Sequence, residues 1–160
     1  MLNSRDKENE LTPVHFAIRQ KRVDILRYLI LKGSDVNLGD KYRMTPAHYA
    51  TIDLYEDGIR ELKKCLNLDL SKSDEYGRLP LHYACMNNQT IQIDTDIRIR
   101  CINVLSDGYS ESFNKPDNDG YTPIQYLMMT LNDKELTEFL GTRGIDIAGI
   151  EDKGGYNLLH

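Results

Sequence analysis

Apolar residues recur along the chain with the period of amphipathic helices, in pairs of short segments. In the first pair, a segment from Pro13 to about Gln20 precedes a segment from Val23 to Lys32. The second segment places apolar side chains at helical spacing, namely at Val23, Ile25, Leu26, Leu29 and Ile30. Gly33 follows where a helix is expected to stop, because glycine tolerates the positive φ of a C-terminal cap. The pattern predicts two helices separated by a short break at 21–22.

The same pairing recurs further along the chain. Helices are predicted near 46–53, 56–66, 96–106, 123–130 and 133–141. In the segment 56–66, Ile59, Leu62 and Leu66 share one face. An insertion at 87–95 interrupts the third pair, and both an exposed connector and a functional loop fit such an insertion.

A short motif opens the first helix of each pair, reading Thr-Pro-x-His-x-Ala or a degraded form. The copies begin at Thr12, Thr45, Leu79 and Thr122, which lie 33, 34 and 43 residues apart. A partial fifth copy begins at Asn157. Threonine can cap free backbone N–H groups, and proline suits the first helical position. The predicted structural residues are Thr12, Pro13, His15, Thr45, Pro46, His48, Pro80, His82, Thr122 and Pro123.

A turn signal, Asp-x-x-Gly, precedes the third and fourth motifs at Asp74–Gly77 and Asp117–Gly120. Aspartate can bond the local backbone while glycine takes the corner that needs positive φ. The second repeat keeps Asp40 but has Arg43 at the glycine position. Its turn can therefore differ from the others.

The period near 33 residues and the motif resemble the ankyrin repeat, a turn followed by two antiparallel helices. The resemblance implies an all-α solenoid of stacked helix-turn-helix units with hairpin-like loops. We expect repeats at 7–39, 40–73, 74–116 and 117–151, with a partial fifth repeat at 152–160. Because the sequence stops inside a fifth inner helix, we expect it to be part of a longer protein.

Composition narrows the class of protein. A chain of 160 residues with 40% hydrophobic residues suggests one globular unit with a continuous core. The net charge of −5 comes from 20 basic and 25 acidic residues that are interspersed, which argues against a nucleic-acid or anionic-membrane surface. The longest aliphatic run, at 29–31, is far too short for membrane insertion. An odd count of three cysteines suits a reducing compartment. We expect a cytoplasmic or nuclear protein, or one in the host cytosol if it is a secreted effector.

The sequence predicts no catalytic residue, no metal site and no cofactor. All four histidines occupy the motif position, where the family uses this side chain to tie neighbouring turns together. Paired cysteine spacings typical of zinc sites do not occur, nor do phosphate-binding glycine loops or a nucleophile elbow.

The resemblance places partner contacts on the turn tips and on the exposed side of the inner helices. Tyrosine, methionine and arginine, which are enriched at protein interfaces, recur at these positions. The predicted partner-binding residues are Arg19, Tyr42, Met44, Ile52, Tyr76, Arg78, Met86, Tyr121 and Met129. Alternatively, the insertion folds over this surface, or Met86 and Met129 pack between helices.

We therefore expect a non-catalytic module, monomeric in isolation, that recruits another protein through the concave face and turn tips. One alternative is a regulatory or substrate-recognition domain of a larger enzyme, or of a bacterial effector, with its chemistry beyond residue 160. A purely structural spacer is a third interpretation, and it requires the apolar surface to be covered.

Overall fold

Helices occur in successive pairs, as the periodicity predicts. The computed structural model describes residues 1–86 and 94–143. Within these ranges the helices are α1 (Pro13–Arg19), α2 (Val23–Leu31), α3 (Pro46–Ile52), α4 (Glu56–Lys63), α5 (Pro80–Cys85), α6 (Thr95–Ser106), a 3₁₀-helix (Ser110–Asn114), α7 (Pro123–Thr130) and α8 (Asp133–Arg143).

The pairs stack side by side along the chain. The first helices of the pairs form an inner row in which α1 contacts α3, α3 contacts α5, and α5 contacts α7. Among the second helices, α2 contacts α4 and α4 contacts α6, which forms an outer row. One hydrophobic core runs through the stack from Val14 to Phe139. The arrangement confirms the predicted all-α solenoid.

Each inner helix begins at a proline that follows an extended residue. In repeat 1, Thr12 has φ −89° and ψ 165°, and Pro13 supplies the first helical turn without needing a hydrogen bond there. The backbone N–H of Thr12 donates to Nδ1 of His15 at 3.1 Å. The motif therefore caps the helix with its own side chains.

The turn of the second repeat has the same geometry as the others, although it lacks glycine. Arg43 adopts φ +63°, close to the +73° of Gly77 at the corresponding position. A non-glycine residue in this region is strained. Nη2 of Arg43 donates to the carbonyl oxygen of Asp74 at 2.8 Å, which gives the strained residue a link to the next repeat.

The boundaries that differ from the periodicity include the end of α4 and the start of α6. Helix α4 ends at Lys63, three residues before the predicted end, and Leu66 is fully exposed instead of sharing the face of Ile59 and Leu62. The chain turns there because Leu68 and Leu70 bury their side chains. Helix α6 begins at Thr95, so the last residue of the predicted insertion is helical.

The 3₁₀-helix between repeats 3 and 4 has no counterpart in the sequence prediction. It buries Phe113 completely, and the ring lies edge-on to Phe139 at 6.0 Å between centroids. The greater part of the insertion, 87–93, and the predicted fifth repeat lie outside the described residues.

In repeats 1 and 2, a tight turn closes the C-terminal end of the inner helix. The N–H of Arg22 donates to the carbonyl oxygen of Ala17 at 2.9 Å, and the N–H of Tyr55 donates to that of Ala50 at 2.8 Å. These backbone bonds satisfy helix-terminal carbonyl groups that would otherwise lack a partner.

In repeat 3, an arginine side chain bonds the equivalent end of the inner helix. Nε of Arg98, on α6, donates to the carbonyl oxygen of Ala84 at 2.9 Å, the position equivalent to Ala17 and Ala50. Nη2 of Arg98 donates to the carbonyl oxygen of Cys85 and to Oγ1 of Thr130 in the next repeat. The buried guanidinium thus supplies hydrogen-bond donors to the C-terminal end of α5.

Candidate functional site

Three buried histidines connect each repeat to the next. Nε2 of His15 lies 2.8 Å from the carbonyl oxygen of Met44, and Nε2 of His48 lies 2.9 Å from that of Arg78. Nε2 of His82 lies 3.2 Å from that of Tyr121. Because Nδ1 of each ring accepts an N–H of its own motif, the proton resides on Nε2, which donates to the next turn. Burial lowers the pKa of all three imidazoles, so they are neutral at pH 7.

An aspartate and a tyrosine fix each turn onto its own inner helix. Oδ1 of Asp40 accepts the N–H groups of Tyr42 and Met44 at 2.8 and 2.9 Å. The hydroxyl of Tyr49 donates to Oδ2 of the same aspartate at 2.5 Å. The same arrangement recurs at Asp74 with Tyr83 and at Asp117 with Tyr126.

These tyrosines also pack against the histidine ladder. The ring of Tyr49 lies edge-on to His15 of the preceding repeat, 5.4 Å between centroids. Burial, together with the hydrogen bond to its carboxylate, raises the pKa of Tyr126 to about 12. The sequence analysis did not predict the pairing of these tyrosines with aspartates. A separation of nine residues between aspartate and tyrosine, repeated three times, is the signal that could have shown the pairing.

Backbone hydrogen bonds hold the turn tips in register. The N–H of Lys41 donates to the carbonyl oxygen of Asn9 at 3.0 Å, and the N–H of Glu75 donates to that of Tyr42 at 3.0 Å. The N–H of Asn118 donates to the carbonyl oxygen of Tyr76 at 2.9 Å. The tips therefore form a continuous ladder, and their side chains are positioned by rigid backbone.

The structure exposes five of the nine predicted partner-binding residues. The exposed fractions are 43% for Tyr42, 42% for Ile52, 54% for Tyr76 and 60% for Met129. Arg19 is also exposed, and its guanidinium lies 5.9 Å from the ring centroid of Tyr49. These residues lie at the turn tips and at the C-terminal ends of inner helices. We call Tyr42, Ile52, Tyr76 and Met129 the concave strip.

The other four predicted residues are half-buried, namely Met44, Arg78, Met86 and Tyr121. Nε of Arg78 lies 3.4 Å from Oδ2 of Asp117, and its guanidinium lies 5.4 Å from the ring centroid of Tyr76. Arg78 thus joins repeats 3 and 4 and supports the ring of Tyr76. Tyr121 packs against Tyr126 at 5.5 Å between ring centroids.

Burial determines the chemistry of two of the cysteines. Burial raises the pKa of the Cys85 thiol to about 12 and that of Cys101 to about 11, which keeps both protonated and unreactive at neutral pH. Residues 1–86 and 94–143 contain no cluster of His, Cys, Asp or Glu side chains able to hold a metal ion. Across the same ranges, every helix is too short or too polar to cross a bilayer.

Comparisons with known proteins agree with this architecture. A family model described as ankyrin repeats (3 copies) matches residues 1–74 and again residues 25–95, so together the matches cover more than half of the chain. The chain belongs to the ankyrin repeat family. Ankyrin repeats are a protein-interaction fold, because stacked repeats present an extended surface to a partner.

Similar segments occur in proteins that are much longer than this chain. The human transient receptor potential cation channel subfamily A member 1 is 31% identical over 111 residues, 66% of this chain and 10% of the channel. The NF-kappa-B inhibitor cactus of Drosophila yakuba is 31% identical over 108 residues, 66% of this chain and 20% of cactus. Inversin of Canis lupus familiaris is 29% identical over 122 residues, 73% of this chain and 10% of inversin. The chain thus spans a fifth or less of these relatives.

Proposed function

We propose that this chain is a non-catalytic module that recruits a partner protein through the concave strip. The observation that supports the proposal best is the exposure of large side chains at two recurring register positions, with Tyr42 and Tyr76 at turn tips and Ile52 and Met129 near the ends of inner helices. Exposed apolar patches mark interaction sites in soluble proteins. The name of one relative, an NF-kappa-B inhibitor, is consistent with a protein-binding role.

The rigid backbone of the tips favours binding. Because the tips are already ordered by backbone hydrogen bonds, a partner does not have to order them on association. A cation–π contact adds positive charge beside one of the exposed rings. Nζ of Lys41 lies 5.0 Å from the ring centroid of Tyr42. Burial of one anchor such as Tyr76 or Met129 contributes about 1.5–3 kcal/mol by transfer estimates.

A second candidate function is a regulatory or substrate-recognition domain of a larger enzyme. It is supported by the small share, between 10% and 20%, that the matched segments occupy in three relatives. Here too the concave strip would recruit the target. We place either form in the cytosol or nucleus, since Cys65, Cys85 and Cys101 are unpaired.

The experiment that tests the proposal is affinity capture from cell lysate with quantitative mass spectrometry. The immobilised baits are the wild-type chain, a Tyr76→Glu/Met129→Glu variant and a Leu66→Glu control. The control places the same charge on a fully exposed leucine outside the strip. Circular dichroism first establishes that all three are folded.

We expect one or more proteins that wild type and the Leu66→Glu control retain and that the double variant loses. Binding of each such protein, once purified, is then measured by titration calorimetry. A capture profile that the double variant shares with wild type would refute the concave strip as the binding surface.

A further inference from the structure

Helix α2 carries an exposed apolar stripe that is separate from the concave strip. The exposed fractions of Ile25, Tyr28 and Leu31 are 39%, 57% and 80%. These residues follow one another at intervals of three, so they share one face of the helix. Asp24 and Lys32, both exposed, flank the stripe at its two ends. We call Ile25, Tyr28 and Leu31 the α2 stripe.

The register of the repeats shows which way this face points. Counted from the motif threonine, Ile25 corresponds to Gly58 in repeat 2. Gly58 is buried against the preceding repeat, since a Cβ atom there would come within 3.0 Å of Cδ1 of Ile18. Ile25 therefore occupies a stacking position, on the side of repeat 1 that faces away from repeat 2.

The register position of Tyr28 indicates the same side of repeat 1. Tyr28 corresponds to Glu61, whose carboxylate accepts two hydrogen bonds from Arg27 of the preceding repeat at 3.1 and 3.2 Å. A stacking side that no repeat covers is normally polar, and no repeat within residues 1–86 and 94–143 covers this side of repeat 1. Here it carries Ile25 and Tyr28. Phe16 on α1 is 41% exposed and stands at the register position from which Tyr49 packs against His15.

The charges around the stripe are self-complementary. Asp24 lies four residues before Tyr28 and Lys32 lies four residues after it. If two α2 helices cross antiparallel about a two-fold axis at Tyr28, Asp24 of each copy meets Lys32 of the other. In the same arrangement Ile25 meets Leu31. A parallel pairing would instead oppose like charges.

Asp24, the negative end of this charge pattern, stays ionised at neutral pH. Hydrogen bonds from Arg22 hold the pKa of Asp24 at about 2, and the same arginine stays beside the carboxylate at 2.9 Å. At the other end, Nζ of Lys32 lies 5.6 Å from the ring centroid of Tyr28. Both charges are thus held next to the apolar residues.

We propose that the α2 stripe is a homodimer interface, in which two copies of the chain pair their α2 helices antiparallel about a two-fold axis near Tyr28. The proposal replaces the sequence-based expectation of a monomer. A helix of nine residues is only about 13 Å long, so the buried area is below that of standard stable interfaces. The dimer is therefore weak and forms with rising concentration.

Analytical ultracentrifugation of the 160-residue chain tests this assembly. We expect the mean mass to rise from one chain towards two between low micromolar and near-millimolar concentration. Tyr28→Glu and Leu31→Glu place a charge inside the stripe and should keep the chain monomeric throughout. Leu66→Glu, the same change at a fully exposed leucine outside the stripe, should dimerise like wild type.

A charge exchange tests the antiparallel geometry. Asp24→Lys or Lys32→Asp alone should weaken self-association by about tenfold, which corresponds to about 1.4 kcal/mol. The two changes combined in one chain restore opposite charges across the interface and should recover the dimer. Circular dichroism confirms that each variant is folded before its mass is measured.

Two results would overturn the proposal. One is a wild-type chain that stays monomeric at near-millimolar concentration. The α2 stripe would then be a binding site for a different protein and not for a second copy. The other is a dimer that Tyr28→Glu and Leu31→Glu leave intact. Neither result bears on the concave strip, whose test uses other residues and another readout.

Discussion

At the scale of single residues, the described repeats use the same few side chains to fix their turns. A turn must be joined to its own helix and to the next repeat. Aspartate and tyrosine make the first connection, as Asp40 and Tyr49 do. Histidine makes the second, as His48 does to the carbonyl oxygen of Arg78. In repeat 4, Gln125 stands at the histidine position. Its Oε1 accepts the N–H of Thr122 at 2.8 Å, as Nδ1 of the histidine does in the first three motifs.

The neutral histidines predict a dependence of stability on acid. Burial lowers the pKa of His15, His48 and His82 in the folded chain, while the unfolded histidines titrate near the ordinary value of about 6.5. Below that value the unfolded state binds more protons than the folded state. The histidine contribution is therefore complete above about pH 6.5 and decreases as the pH falls towards the folded pKa values.

A glutamine variant that copies the motif of repeat 4 isolates one of these groups. In His48→Gln the side chain cannot titrate, so the unfolding free energy should fall less from about pH 7 to about pH 5 than it does in wild type. Urea denaturation at each pH measures this difference. An identical pH profile for the variant would show that His48 does not titrate differently in the two states.

At the scale of elements, a side chain of the outer helix holds the end of the inner helix in repeat 3. The carbonyl oxygen of Ala84 accepts from Arg98, which reaches across from α6. Burial lowers the pKa of this guanidinium, and its hydrogen-bond partners among the described residues are neutral oxygens. The same side chain bonds Thr130 and so also joins repeat 3 to repeat 4.

Arg98→Met should therefore destabilise the chain. It removes the side-chain donor to the carbonyl oxygen of Ala84, and loss of a buried hydrogen bond of this kind costs about 1–3 kcal/mol. Arg100→Met is the matched control, since Arg100 is half-exposed and its partner Glu56 keeps a second arginine, Arg60. Its cost should be at most about 1 kcal/mol. Urea denaturation compares the two, and equal losses would mean that Arg98 acts only as packing volume.

At the scale of the whole molecule, the two exposed apolar surfaces belong to different parts of the repeat. The concave strip lies on turn tips and inner-helix ends, whereas the α2 stripe lies on the outer helix of repeat 1. The two surfaces have no residue in common. A dimer built on α2 would consequently carry two concave strips.

This separation predicts independent binding at the two surfaces. Tyr42→Ala/Tyr76→Ala should weaken partner binding and leave the dimerisation constant unchanged. Tyr28→Glu should leave the affinity of one chain for one partner unchanged, but should remove the avidity of the dimer for a surface densely coated with partner. Ultracentrifugation and surface plasmon resonance at low and high partner density measure the two effects. Changes in both constants from one variant would contradict independence.

The family, the fold class and the place of each inner helix follow from the amino-acid sequence without any knowledge of contacts. The motif carries its own cap, because Thr12 and His15 satisfy each other within one turn of helix. Such local hydrogen bonding does not depend on distant parts of the chain, so the starts at Pro13, Pro46, Pro80 and Pro123 were predictable. The exposure of Tyr42, Ile52, Tyr76 and Met129 followed from the same register.

Contacts between repeats determine the features that the periodicity does not predict. Burial of Leu68 and Leu70 ends α4 early, and burial of Phe113 creates a 3₁₀-helix where no periodicity predicts one. Arg78 is half-buried because Asp117, 39 residues later, comes within reach of its guanidinium. The apolar face of α2 appears the same in sequence whether or not a repeat covers it. Only the stack shows that Ile25 and Tyr28 remain exposed, because burial is a property of neighbours and not of periodicity.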